Sequence, residues 1–334
     1  MSHTAVSERM LNVALAPESA THRHLHHPTP QPNGGQPSAH LATGFQPQPS
    51  WNMTDSGGPT IAELTFVNRY IGGAAAWSAS DMTSIDGALS AALSDAGLQS
   101  VIAQYFPGAT VTSTMLPSAV HAGAAPATVY KDTAEALALA LHTEGAIGAA
   151  DPKNAVINMM LPEGIVLSDD FSPGFTPPAG AQAGEHHDNR RRRVLKIDED
   201  DAADSKNGLG GYHGSVHLAD GTEVYYAVGV YSKGDNGIDA FGVPWKNVVA
   251  TFYHELNEAR TDAAVEDVNA TNNGNLLGWY SQTGQGEIGD LPINACNGNL
   301  SLVFVEVALA DGSGTVPIQL MWSNADDGPA ASTS

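Results

Sequence analysis

The stretch from Pro244 to Asp262 constrains the fold of this chain more than any other. Val248, Val249, Phe252, Leu256 and Ala259 recur at helical spacing, and Pro244 suits the first turn of a helix. The same helix carries Tyr253-His254-Glu255-Leu256-Asn257-Glu258-Ala259-Arg260-Thr261-Asp262. Four residues apart, His254 and Glu258 share one face, about 6 Å apart along the axis. An imidazole and a carboxylate at that separation can grip one metal ion. Glu255 points partly away and can reach over the ion as a general base. This is the logic of the zinc-protease helix, with Glu258 where a second His usually stands. Asp262 falls a further turn on, about 12 Å from His254. Either the helix breaks near Thr261, or Asp262 acts behind the ligands, or it binds a different cation.

A further ligand has to come from elsewhere. Glu287-Ile288-Gly289-Asp290 is the best source, with two acids three residues apart on the downstream side of a turn. His213 is open to three readings: a ligand, an oxyanion stabiliser, or a strand residue with a satisfied hydrogen bond. His217 alternates onto the same strand face as His213. Tyr280, Tyr212 or a His would stabilise an oxyanion. The single cysteine, Cys296, allows no intrachain disulfide and is expected to be a small buried hydrophobe. Zinc is the expected ion. The mixed His and carboxylate set also suits iron or manganese, or calcium if His254 stays out.

Around the motif the pattern alternates helices and strands, which predicts one α/β domain. Strands are expected at Ile61–Val67, Val111–Met115 and Ala155–Leu161. Helices are expected from Ser80 or Asp81 to about Tyr105, and from Asp132 to a stop at Gly145. Asp220-Gly221 between alternating runs predicts a hairpin of Tyr212–Leu218 with Glu223–Tyr231. A final strand pair is expected at Ser301–Leu309 and Thr315–Trp322. Residues 1–57 are rich in Pro, Gln, Ser, Gly and His and read as a disordered tail. The domain is expected over 58–325, with a mobile excursion at 168–209 that includes Arg190–Arg193, and a frayed tail at 326–334. The run His22-Arg23-His24-Leu25-His26-His27 would bind metal only weakly.

Charge narrows the partners. With 14 Lys and Arg against 36 acids the net charge is −22, which repels nucleic acid and anionic membranes. No apolar run approaches the 18–20 residues, roughly, of a membrane span, and the N-terminus does not read as a signal peptide. Cytoplasmic residence is the default expectation, with non-classical export still open.

Several motifs together carry a resemblance. Gly57-Gly58-Pro59, Gly210-Gly211-Tyr212-His213-Gly214-Ser215, Tyr225-Tyr226-Ala227-Val228, His254 through Asp262, Gly278-Trp279-Tyr280 and Glu287-Ile288-Gly289-Asp290 resemble the EXORDIUM/phosphate-induced protein 1-like family and its bacterial relatives. The resemblance spans roughly residues 57–300. It implies secreted, growth-related proteins on the plant side and zincin-type metallopeptidases on the bacterial side. It also implies a site of His254, Glu255, Glu258, Asp262, Glu287 and Asp290, on a zincin-like domain with a mixed sheet and a long metal-binding helix. Two departures stand out: the chain shows no clear signal peptide, and Ala263 occupies a position where relatives often carry Pro; Cys296 also lies later than the family's cysteine.

The expectation is therefore a metal-dependent hydrolase, a zinc peptidase, acting on a peptide or small-molecule substrate. Glu255 would be its general base, and His213 and Tyr280 its further catalytic groups. Two alternatives remain open: a non-catalytic peptide- or glycan-binding protein with a structural cation, and a non-haem iron or manganese enzyme.

Overall fold

A five-stranded mixed sheet organises the molecule. The computed structural model describes residues 40–175, 204–265, 276–283 and 285–333. In chain order the strands are β1 (Met53–Asp55), β2 (Glu63–Tyr70), β3 (Thr112–Val120), β4 (Thr128–Val129), β5 (Ala155–Leu161), β6 (Val166–Leu167), β7 (Gly211–His217), β8 (Glu223–Val230), β9 (Trp279–Ser281), β10 (Phe304–Ala308), β11 (Thr315–Gln319), β12 (Met321–Ser323) and β13 (Gly328–Ala330). The helices are α1 (Ala79–Ser94), α2 (Ala96–Ala103), α3 (Lys131–Thr143), α4 (Pro244–Thr261) and α5 (Asp290–Ala295). The main sheet has the order β3-β2-β5-β8-β7. Its first four strands run parallel, and β7 pairs antiparallel with β8 at one edge.

Both faces of the sheet are covered, as parallel strands require. Strand alternation divides the side chains between two cores. On β5, Val156 and Met160 join the larger core with α1, α2 and α4, while Ile157, Met159 and Leu161 join the smaller core with α3. The same alternation on β7 sends Tyr212 and Val216 to the α3 side. His213 is thereby left on the α4 side, opposite Ala227 of β8.

Local chemistry explains where elements stop. The single long helix expected after Ser80 is broken into α1 and α2. Asp95 is extended there, and its carboxylate accepts from the Leu98 N–H at 3.0 Å, capping α2. Gly145 follows α3 at φ +83°, as a helix stop requires. Gly221 takes φ +85° in the β7–β8 turn. Strand β3 runs to Val120, further than the expected Met115.

Both termini of the domain differ from expectation. Leu41 bridges to Ala330, and β1 pairs with β9, so ordered chain begins well before residue 57. At the other end β12 and β13 form a hairpin whose Trp322 and Ala330 are buried, which replaces the expected fraying. Its apolar anchors, Met321 and Trp322, precede a turn rather than a tail. The His22–His27 run, Arg190–Arg193 and most of the 168–209 excursion lie outside the described residues. Among the described residues, no helix is long and apolar enough to cross a membrane.

Candidate metal centre

Helix α4 is buried almost throughout: every residue from Asn247 to Thr261 is enclosed. Its charged face is therefore not solvated. Three glycines let it lie close to the sheet. A Cβ on Gly211 would meet Thr251 Cγ2 at 3.0 Å and Val228 O at 2.6 Å, and one on Gly229 would meet Phe252 Cε2 at 3.0 Å. One on Gly210 would meet Thr251 Oγ1 at 3.1 Å. This close approach sets His213 of β7 against the carboxylates of α4.

Seven ionisable side chains converge there: His213, His254, Glu255, Glu258, Asp262, Glu287 and Asp290, none more than 3% exposed. His213 Nδ1 lies 3.6 Å from Glu258 Oε2 and 3.7 Å from Glu255 Oε2, and its Nε2 lies 3.6 Å from Glu287 Oε1. His254 Nε2 lies 3.0 Å from Glu258 Oε1 and 4.0 Å from Glu255 Oε1. The Gly289 and Asp290 N–H groups both donate to Glu258 Oε1 at 3.2 Å. The two acids of the downstream block thus arrive beside α4 from the turn that opens α5.

Each imidazole is held from behind by a carbonyl oxygen. His213 Nε2 donates to the backbone carbonyl of Asp262 at 3.2 Å. His254 Nδ1 meets Gln319 Oε1 at 2.8 Å, and the amide nitrogen of Gln319 donates to the Gly289 carbonyl at 2.7 Å. That second bond fixes the Gln319 oxygen toward His254, so Nδ1 is the donor. A carbonyl can only accept, so the proton sits on His213 Nε2, which also lies near Glu287 Oε1, and on His254 Nδ1. The inward nitrogens, His213 Nδ1 and His254 Nε2, have no hydrogen-bond partner within the protein. An outer N–H bond that fixes the tautomer of a ligating His is a regular feature of metal sites.

Six carboxylate oxygens share that condition: Glu255 Oε2, Glu258 Oε2, Asp262 Oδ2, both oxygens of Glu287, and Asp290 Oδ1. With the two nitrogens this makes eight unpaired buried atoms in one cluster. At about 1–3 kcal/mol each, their desolvation would rival the stability of a whole domain, about 5–15 kcal/mol. Cations relieve that cost directly, and the His-and-carboxylate set fits a divalent transition metal. Two groups of three residues bring ligand atoms within 4.8 Å of one another: His213, Glu258 and Glu287, and His254, Glu258 and Asp290.

Protonation reports the same imbalance. Burial opposes charge on His213, but the surrounding Glu287, Glu255 and Glu258 hold its pKa well above the usual imidazole value. His254 is desolvated too, yet Glu258 and Glu255 raise it to about 10. Burial would raise Glu258, but His254 and His213 prevail and hold it at about 2. Burial pushes Glu255, Glu287 and Asp290 upward, and Asp262 up to about 7. In the metal-free cluster, protons supply the positive charge that a cation would bring.

The other sequence candidates fall in different places. Helix α4 ends at Thr261, and Asp262 turns away with φ −148° and ψ 71°. Its Oδ1 accepts from the Gly278 N–H at 2.9 Å and its carbonyl holds His213, so Asp262 stands behind the ligands and in neither group of three. Tyr280 is half-buried on β9, opposite Thr54. Tyr212 packs edge-on to Tyr226 on the α3 side of the sheet, away from His213. His217 is exposed at the end of β7. Cys296 is buried, and its Sγ donates to the Ile293 carbonyl at 3.1 Å. Sequence reasoning missed Gln319. Its only signal was a polar residue closing the apolar run Val316-Pro317-Ile318. Comparison of the chain with protein-family models, curated proteins and solved structures found no match.

Proposed function

We propose that this protein is a metal-dependent hydrolase of the peptidase type, working on a zincin-like α/β domain with zinc as the preferred ion. The observation that carries the reading is the pair of imidazoles. Each is braced by an outer carbonyl, and each turns an unpaired nitrogen toward Glu258. A bound divalent ion would lower the pKa of a water toward about 7 and polarise a carbonyl. Glu255 stands outside both groups of three, yet its Oε2 is unpaired and 3.7 Å from His213. That makes it the residue placed to take the water's proton. Asp262 and Gln319 orient the two imidazoles. Glu287 and Asp290 complete the donor sets.

The test is elemental analysis of the chain with Glu255→Gln beside it. Zinc retained in the variant, with hydrolysis of a peptide library reduced about 10²–10⁴-fold, is the expected result. Iron or manganese in place of zinc would redirect the assignment to a redox enzyme. A chain without metal would overturn the reading.

One observation favours a second reading, a closed structural cation beneath a peptide- or glycan-binding surface. The ligand side chains are almost fully enclosed, whereas a catalytic site keeps a coordination position open to solvent. Under that reading Glu255→Gln leaves every activity unchanged while chelation unfolds the protein.

A further inference from the structure

We infer that the centre holds two cations bridged by the carboxylate of Glu258. The inference rests on the metal reading above and extends it from one ion to two. Glu258 is the one residue common to both ligand groups. Its two oxygens point to different partners. Oε1 lies 3.0 Å from His254 Nε2, and Oε2 lies 3.6 Å from His213 Nδ1. Among the described residues neither group contains both imidazoles, and the acids divide as well: Glu287 goes with His213 and Asp290 with His254. One ion at either position would leave the other imidazole nitrogen and its acid buried and unpaired.

Charge and rigidity point the same way. Five buried carboxylates belong to the cluster, Asp262 standing behind the other four, and two divalent ions carry four positive charges against them with both imidazoles neutral. One ion would leave the cluster short by two further charges in a medium where unbalanced charge is costly. The bridge is also held in place: the Gly289 and Asp290 N–H groups grip Glu258 Oε1, fixing the plane of the carboxylate. Paired ions about 3.5–4 Å apart are a known hydrolytic arrangement, in which they act together on the attacking and leaving oxygens.

The test is a manganese titration of the full chain after chelator treatment, read by equilibrium dialysis and by electron paramagnetic resonance. Manganese suits carboxylate-rich sites and has the least affinity for imidazole runs such as His22–His27. The expected result is two tightly bound ions per chain with a spin-coupled spectrum. His213→Ala and His254→Ala should each leave one ion, uncoupled. The wild-type spectrum decides the matter even where a variant fails to fold. Saturation at one ion with an uncoupled spectrum would overturn the bridge and leave the single-metal reading standing. No tight binding of manganese or of zinc would remove both.

Discussion

Two buried polar regions sit two residues apart on α4, and they are built on opposite terms. Arg260 is fully enclosed, yet its guanidinium is satisfied. Nε donates to the Ile61 carbonyl at 3.3 Å, and Nη2 to the carbonyls of Ala62 at 2.8 Å and Thr112 at 3.1 Å. Nη1 donates to Ser113 Oγ at 3.1 Å and Gln99 Oε1 at 3.4 Å. The partners are neutral oxygens, four at the entry of β2 and β3 and one, Gln99 Oε1, on α2, so this charge ties α4 to the sheet and to α2. Glu258, one half-turn earlier, belongs to a cluster with eight unpaired atoms. The same fold that satisfies every donor of Arg260 leaves eight atoms of the His–carboxylate cluster without a hydrogen-bond partner. The first region is satisfied by the protein's own oxygens, and the second carries buried oxygens and nitrogens that no protein group pairs.

The largest expected effects divide the two regions. Arg260→Met should destabilise the protein by about 3–5 kcal/mol, because several buried carbonyls lose their donor. Denaturant unfolding should give the same loss with and without metal. Glu258→Ala should abolish metal binding, a greater loss than the roughly 10–100-fold cost of removing a supporting residue. Equal metal loss in a folded Arg260→Met would break the distinction.

Chelation comes next. A chain loaded at about 1,000 times its dissociation constant gains about 4 kcal/mol from the ion. Thermal unfolding with and without a chelator should show that loss in the wild type and in Arg260→Met alike, and no loss in Glu258→Ala.

The supporting residues sharpen the comparison further. Gln319→Leu removes the acceptor behind His254 and should weaken metal binding about 10–100-fold, measured by competition with a chromogenic chelator. Gly289→Ala should do at least as much, since its Cβ would sit 2.5 Å from His254 Nδ1 and displace the ring. Smallest of all, Cys296→Ala should leave metal content unchanged and cost about 1 kcal/mol of packing.

The contrast also explains what the sequence could and could not reveal. The motif helix was legible because its apolar period and its ligand spacing coincide, from Val248 to Ala259. The β7–β8 hairpin was legible because Asp220-Gly221 is a strong local turn signal. Glu287 and Asp290 could be named as acids but not assigned to different imidazoles, since that depends on the path between α4 and α5. The outward role of Asp262 depends on where the helix breaks. Gln319 acts through a bond made across 65 residues, and no local pattern encodes it. The β12–β13 hairpin was missed because its burial comes from the packing of Leu41 and Trp51, in a segment whose composition reads as disordered.

The bond between His254 and Gln319 also sets an order of events during synthesis. The motif helix leaves the ribosome well before β11, so on the growing chain His254 has no fixed tautomer and no neighbour to aim it. Glu287 and Asp290 are likewise still to come. A metal ion met at that stage would find one imidazole and scattered acids on a flexible chain. That arrangement exists only once the C-terminal strands have closed over α4, so under the proposed metal reading capture of the ion follows folding rather than guiding it.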